Sequence, residues 1–167
     1  MKKMTETFLK EAFAGESQAH MKYKAFAKEA KEKGLNNIAK LFEAIAYAEE
    51  VHATGHLRVL GGIKTTSENL QAAHDGEGFE IDEMYPAYKA VAELQNEKAA
   101  AHVMGFALEA EKIHKKMYAD AKHTVDGGKD IAPDTIHVCS VCGHTVAGNA
   151  PDECPVCHAK KDKFKAF

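Results

Sequence analysis

The chain is predicted to be an all-α four-helix bundle with a long crossover, followed by a small C-terminal cysteine-knuckle domain. Three observations carry that prediction. Long stretches ahead of Gly127 repeat apolar side chains at three- and four-residue intervals, the period of an amphipathic helix. Two of those stretches contain Glu-x-x-His, as Glu49-Glu50-Val51-His52 and Glu111-Lys112-Ile113-His114. All four cysteines lie beyond Val138, as Cys139-Ser140-Val141-Cys142 and Cys154-Pro155-Val156-Cys157.

Each helix can be phased by its apolar stripe. In the first, Leu9, Ala12 and Phe13 lead through Glu16, Ala19, His20 and Tyr23. In the second, which begins after Lys33-Gly34, the expected buried stripe Ile38, Leu41, Phe42 and Ile45 continues onto Glu49, His52 and His56, while Glu50 falls off it. The third is expected to bring Glu77 and Glu80 ahead of Met84, Ala87, Val91 and Leu94. In the fourth, Val103, Phe106, Ala107 and Ala110 lead on to Glu111, His114, Met117 and Tyr118, with Glu109 to one side. The glycine-marked stretch from Gly61 to Gly78 reads as the crossover, a connection along the outside of the bundle. The near-equal intervals from Glu16 to Glu49 and from Glu80 to Glu111 suggest an internal repeat of helix pairs about a pseudo-twofold axis. Asp126-Gly127-Gly128-Lys129-Asp130 ends the helical part. Beyond Pro133, residues Thr135 to Val138 and Lys163 to Phe167 read as short strands flanking the knuckles. The expected domains are 1–130 and 134–167.

The chemistry follows from residue type and phase. One Glu from each of two helices and Glu-x-x-His from each of two others is the ligand pattern of di-iron and di-manganese carboxylate bundles. Most glutamates in a chain with 28% charged residues are solvated. Several on the core-facing side are another matter, because unpaired buried carboxylates cost several kcal/mol each and call for a cation. Carboxylates with two imidazoles suit iron or manganese better than magnesium or calcium, and zinc also fits. Two Cys-x-x-Cys knuckles form a tetrahedral sulfur site for zinc or iron, and spacing alone does not separate them.

Composition narrows the partners. A net charge of -3 and a pI near 6.4 give no basic footprint for nucleic acid, and no apolar run approaches the length of a membrane span. Met1 to Lys10 is basic and polar without an apolar core, so a cytoplasmic protein is expected, in which disulfides are disfavoured. No Gly-x-Gly-x-x-Gly is present, so the chain is not expected to bind a nicotinamide cofactor itself.

Taken with Ala14-Gly15-Glu16-Ser17-Gln18-Ala19, Glu77-x-x-Glu80, Asp82-Glu83-Met84-Tyr85-Pro86 and Cys154-Pro155-x-Cys157, these motifs resemble the rubrerythrins over the whole chain. Members of that family join a ferritin-like di-iron bundle to a rubredoxin-like iron–tetrathiolate domain. The resemblance implies that Glu16, Glu49, His52, Glu77, Glu80, Glu111 and His114 ligate two non-haem irons, with Glu49 and Glu111 bridging. It further implies that Tyr23 and Tyr85 hydrogen-bond the glutamates, and that Cys139, Cys142, Cys154 and Cys157 hold one iron rather than zinc. His20, one turn after Glu16, departs from the basic or polar residue expected there and is read as supporting the ligands from outside. His56, His74, His102 and His123 are read as solvated or interhelical.

The implied activity is reduction of hydrogen peroxide to water, a defence against oxidative stress. Two electrons come from the di-iron pair and are restored singly by the tetrathiolate centre. An iron is expected to shift between Glu77 in the oxidised pair and His52 in the reduced one. Electrons would originate in NADH or NADPH, through a separate reductase and a rubredoxin-like carrier. Because a tethered knuckle domain is expected to lie far from the di-iron centre of its own chain, a head-to-tail or domain-swapped homodimer is expected. Two competing readings are a ferroxidase or iron-storage protein, which needs no electron-transfer domain, and a non-redox interaction module stapled by zinc.

Overall fold

The computed structural model describes residues 1–132 and 134–167, so the expected domain break at Pro133 lies outside the described residues. The chain divides into two compact units, Met1–Lys64 and Thr65–Phe167.

The first unit is a helical hairpin of α1 (Lys3–Glu32) and α2 (Asn36–Val59). Its turn uses carbonyls that a helix end leaves unpaired: Gly34 N–H donates to Lys31 O at 3.0 Å and Leu35 N–H to Ala30 O at 2.9 Å. Gly34 takes φ +75°, a left-handed conformation that costs glycine nothing. The two helices close on a seam of small side chains. Ala27 and Ala30 of α1 are buried, as are Ala39, Ala46 and Ala53 of α2, each one heptad from the next. Tyr23, Phe26 and Phe42 form an aromatic cluster with ring centroids 5.6 to 6.2 Å apart.

This seam corrects the expected burial. Ile38, Leu41 and Ile45 are 45%, 56% and 42% exposed in the single chain, and in the second unit Val91, Leu94 and Val103 are exposed as well. Within the hairpin the alanines face the partner helix, and the larger side chains lie on the neighbouring face together with Glu49 and His52.

The second unit contains α3 (Thr66–Phe79), a π-turn (Glu80–Met84), α4 (Tyr85–Leu94) and α5 (Lys98–Asp126). Most of the stretch read as a crossover is therefore helix, and only residues 60–65 connect α2 to α3. The cause is a capping box that outweighs the glycines. Thr65 accepts from Glu68 N–H, and the Glu68 carboxylate accepts from Thr65 N–H. At Gly78 a β-carbon would come within 3.1 Å of Lys115 Nζ, so the missing side chain leaves room for Lys115 of α5.

The π-turn has an equally local origin. Pro86 offers no N–H to continue the α-helical ladder, and Tyr85 N–H donates to Glu80 O, five residues back. This wider turn begins at Glu80 and offsets the phase of α4 from that of α3.

The cysteine module is a three-stranded antiparallel sheet in the order β2-β1-β3, built from β1 (Ile136–Cys139), β2 (Thr145–Ala147) and β3 (Phe164–Ala166). Val138 pairs with Thr145 on one side and Lys165 on the other. β1 and β3 lie within a residue or two of the strands expected from sequence, whereas β2 has only three residues and no alternation to announce it. Buried Cys139, Cys142 and Cys154 form the module's core, with Phe164 and Val156 against them.

Replacing Thr65 by alanine removes the α3 cap and is expected to lower stability by about 0.5–2 kcal/mol, measured as a shift in the denaturant midpoint.

Candidate metal centres

The bundle residues singled out by sequence divide between the two units, and in each unit they converge. In the first, Glu16, Glu49 and His52 bring ligand atoms within 4.8 Å of one another. His52 Nδ1 lies 3.1 Å from Glu49 Oε2 and 3.8 Å from Glu16 Oε1. A side-chain contact between Glu16 and Glu49 raises the pKa of Glu16 and lowers that of Glu49. His56 contributes its field to Glu16, bringing a histidine read as unattached close to the cluster.

In the second unit, Glu77, Glu111 and His114 form the matching group. His114 Nδ1 lies 2.7 Å from Glu111 Oε2 and 3.8 Å from Glu77 Oε1. Burial raises the pKa of Glu77 to about 7, with the neighbouring Glu111 and Glu80 adding to it. Burial, and then Glu111, also raises Glu80. The Tyr85 phenol is pushed up by burial and by Glu80, Glu111 and Glu77 together, so it stands in the field of all three carboxylates. This crowding of acids fits the donor chemistry of a hard or borderline cation. Metal binding would offset both the burial and the like-charge repulsion that raise Glu77.

Two expected supporting contacts have a different form. His20 Nδ1 donates to Ala46 O at 2.8 Å, tying α1 to α2, and its nearest acid is Glu50 at 3.9 Å rather than Glu16. Tyr23 packs on Phe26 and Phe42, and its hydroxyl has no hydrogen bond among the described residues. Glu109, off the stripe as expected, pairs with Lys112 at 2.6 Å on the surface.

The four cysteines close a second kind of site. Cys139 and Cys157 sulfurs are 3.6 Å apart, and those of Cys142 and Cys154 are 3.5 Å apart. These separations are far too long for disulfides and close to the edge of a tetrahedron with metal–sulfur bonds of about 2.3 Å. Each knuckle turns back through a left-handed residue after its second cysteine, Gly143 in one and His158 in the other. Gly143 N–H donates to Cys139 O and His158 N–H to Cys154 O. Although burial pushes the Cys154 thiol up, N–H groups of Cys157 and Val156 outweigh it and bring the pKa down to about 7, as a metal-binding thiolate needs.

The module lies against the carboxylate cluster of its own chain. Phe106 of α5 packs on the buried cysteines, Gly143 approaches Ala110, and His114 Nε2 lies 2.8 Å from Thr145 Oγ1. That contact corrects the expectation that the knuckle domain is far from the bundle ligands of its own chain. Thr145 had no signal in sequence, since it belongs to no motif and only the docking of sheet on helix brings it to His114.

Comparison with known proteins agrees with this geometry. The family model described as Rubrerythrin matches residues 7–122, and the one described as Rubrerythrin, rubredoxin-like domain matches residues 137–165. The chain is similar to Rubrerythrin-2 of Clostridium acetobutylicum, 42% identical over 178 residues that cover 98% of this chain and 97% of that protein. It is also similar to nigerythrin of Nitratidesulfovibrio vulgaris, 36% identical over 173 residues, with 95% and 84% covered. Among solved structures, that of nigerythrin in a fully reduced, all-ferrous state matches with a TM-score of 0.58 at 34% identity, covering 98% of this chain and 86% of that one.

The raised Glu77 carboxyl makes a prediction about the metal-free chain. An ordinary glutamate near 4.5 is lifted here to about 7, so between those pH values the folded chain holds a proton that the unfolded chain releases. Stability from this group is present below about pH 4.5 and is lost as pH rises through about 7. Glu77→Gln is therefore expected to raise the Tm of metal-free protein by a few degrees at pH 8 and hardly at all at pH 4.5, followed by circular dichroism.

Proposed function

The chain belongs to the rubrerythrin family and carries the rubredoxin-like module at its C-terminus, and from that premise we propose that it is a non-haem di-iron peroxidase reducing hydrogen peroxide to water. The observation that supports this most is the seating of a four-sulfur centre, through Thr145, on a histidine of the carboxylate cluster. A protein that only oxidises and stores iron has no use for an electron donor held there.

In this reading residues 1–130 are the bundle domain and residues 134–167 the electron-transfer domain. Glu16, Glu49, His52, Glu77, Glu80, Glu111 and His114 would hold the metal pair, Glu49 and Glu111 serving both ions, and the cysteines would hold a single iron. When bound, the iron pair supplies the two electrons that cleave the peroxide O–O bond. The chain must then supply two protons for the two waters formed. Glu77 suits that task. Were His52 to take its place as a ligand in the reduced pair, the buried, acid-crowded position of Glu77 would favour taking a proton near neutral pH. The Tyr85 phenol, its pKa raised by burial and by the same carboxylates, would stay protonated and able to donate to them. Electrons reach the cysteine centre from an NAD(P)H-dependent reductase through a rubredoxin-like carrier in the cytoplasm.

The proposal includes a homodimer, head-to-tail or with helix pairs exchanged. It is supported by Ile38, Leu41 and Ile45, which stay exposed on the face that carries Glu49 and His52. Each is already about half covered, so burying the remainder against a second copy is worth about 1 kcal/mol apiece.

Two measurements test these statements. Protein reduced without oxygen and then mixed with one equivalent of hydrogen peroxide per metal pair is expected to regain its ferric–thiolate absorption much faster than with air. Faster return with air points to a ferroxidase, and a colourless cysteine site points to zinc. Leu41→Asp is expected to shift the protein toward monomer in sedimentation velocity, whereas a parent chain that is already monomeric with full turnover removes the dimer from the account.

A further inference from the structure

His114 is placed so that its two ring nitrogens face different sites. Nδ1 belongs to the carboxylate cluster, 2.7 Å from Glu111 and 3.8 Å from Glu77. Nε2 meets Thr145 Oγ1 at 2.8 Å, and Thr145 is a buried polar residue of the cysteine module. A threonine hydroxyl has one proton to give. Here it goes to Gly143 O at 2.9 Å, inside the knuckle turn. With that proton committed, the oxygen can only accept from His114, so Nε2 must carry a proton. Nδ1, in hydrogen-bond contact with Glu111 Oε2, is then the nitrogen that gives up its proton to present a lone pair to a metal.

We infer that Thr145 is a positioning residue for the bundle metal centre: from the cysteine module, it selects the His114 tautomer whose Nδ1 can bind metal. Gly143 follows Cys142 directly, and its own N–H donates to Cys139 O, so the chain of bonds from His114 ends on the backbone of the first knuckle. Completeness of one metal site thereby depends on the docking of the other. Without Thr145 the imidazole is free to put its proton on Nδ1, toward the carboxylates, and to lose its value as a ligand. Partners of this kind fix the ring orientation and basicity of metal-bound histidines.

This inference rests on reading the carboxylate cluster as a metal centre, but not on peroxidase activity, and its test uses no peroxide. In the full-length chain loaded with Zn(II) at both sites, long-range proton–nitrogen correlation spectra are expected to show His114 protonated at Nε2 and metal-bound at Nδ1. A proton on Nδ1 overturns the inference. Chelator competition for Co(II) at the bundle site is expected to show about tenfold or greater loss of affinity in Thr145→Val and no more than about a twofold change in Thr145→Ser. No loss in the valine variant, or equal losses in both, assigns Thr145 to packing alone and also overturns it. If the valine variant does not fold, the tautomer in the parent chain still decides. Loss of peroxidase turnover with both readouts as expected would defeat the functional reading and leave this one standing.

Discussion

Carboxylates gathered on the apolar side of helices are the constraint on which the rest of this structure depends. Each would prefer water, and each is drawn out of it by the same periodic pattern that makes the helices amphipathic. The chain meets the cost in two ways. The contact between Glu16 and Glu49 raises the pKa of one and lowers that of the other, and burial lifts Glu77 to about 7 beside Glu111 and Glu80. Acids crowded in this way mark where a cation would fit. A surface cluster with solvent on every side would need neither.

The scaffold around the acids serves their placement. A seam of alanines lets α1 and α2 approach closely and leaves the bulkier Ile38, Leu41 and Ile45 on the face shared with Glu49 and His52. In the second unit the π-turn at Glu80 does comparable work. Pro86 interrupts the ladder, the turn widens, and α4 leaves at a new phase while Glu77 and Glu80 keep theirs. A distortion that costs helix regularity at this one place is consistent with the tendency of π-turns to occur at functional sites.

The cysteine module has almost no core beyond its sulfurs, so its shape is set by the metal they hold. A rigid module of this kind can act on a neighbour through a single hydrogen bond. Thr145 does so because β2 pairs with β1 at Val138 and thereby sets its hydroxyl beside the knuckle turn, within reach of His114. Two centres of different chemistry are thus joined by the shape of a small sheet.

Much of this was legible in the sequence. The helix phases picked out Glu16, Glu49, His52, Glu77, Glu111 and His114 because a three-and-four spacing is a local property of the chain. The knuckles were legible because sulfur ligands two residues apart need no distant partner. The glycines from Gly61 to Gly78 point to a connection, whereas the Thr65 and Glu68 cap starts a helix there. The burial of Ile38, Leu41 and Ile45 was also misjudged, since periodicity says which side chains share a face and not what covers that face. The sequence by itself therefore determined the elements, the donor types and their faces, all of which follow from short-range spacing. Only the tertiary structure decided which donors meet, that Glu77 is raised by burial and then by its acidic neighbours, and that Thr145 governs His114. Those depend on distances between residues far apart in the chain, where hydrogen bonds and fields fall off within a few ångströms.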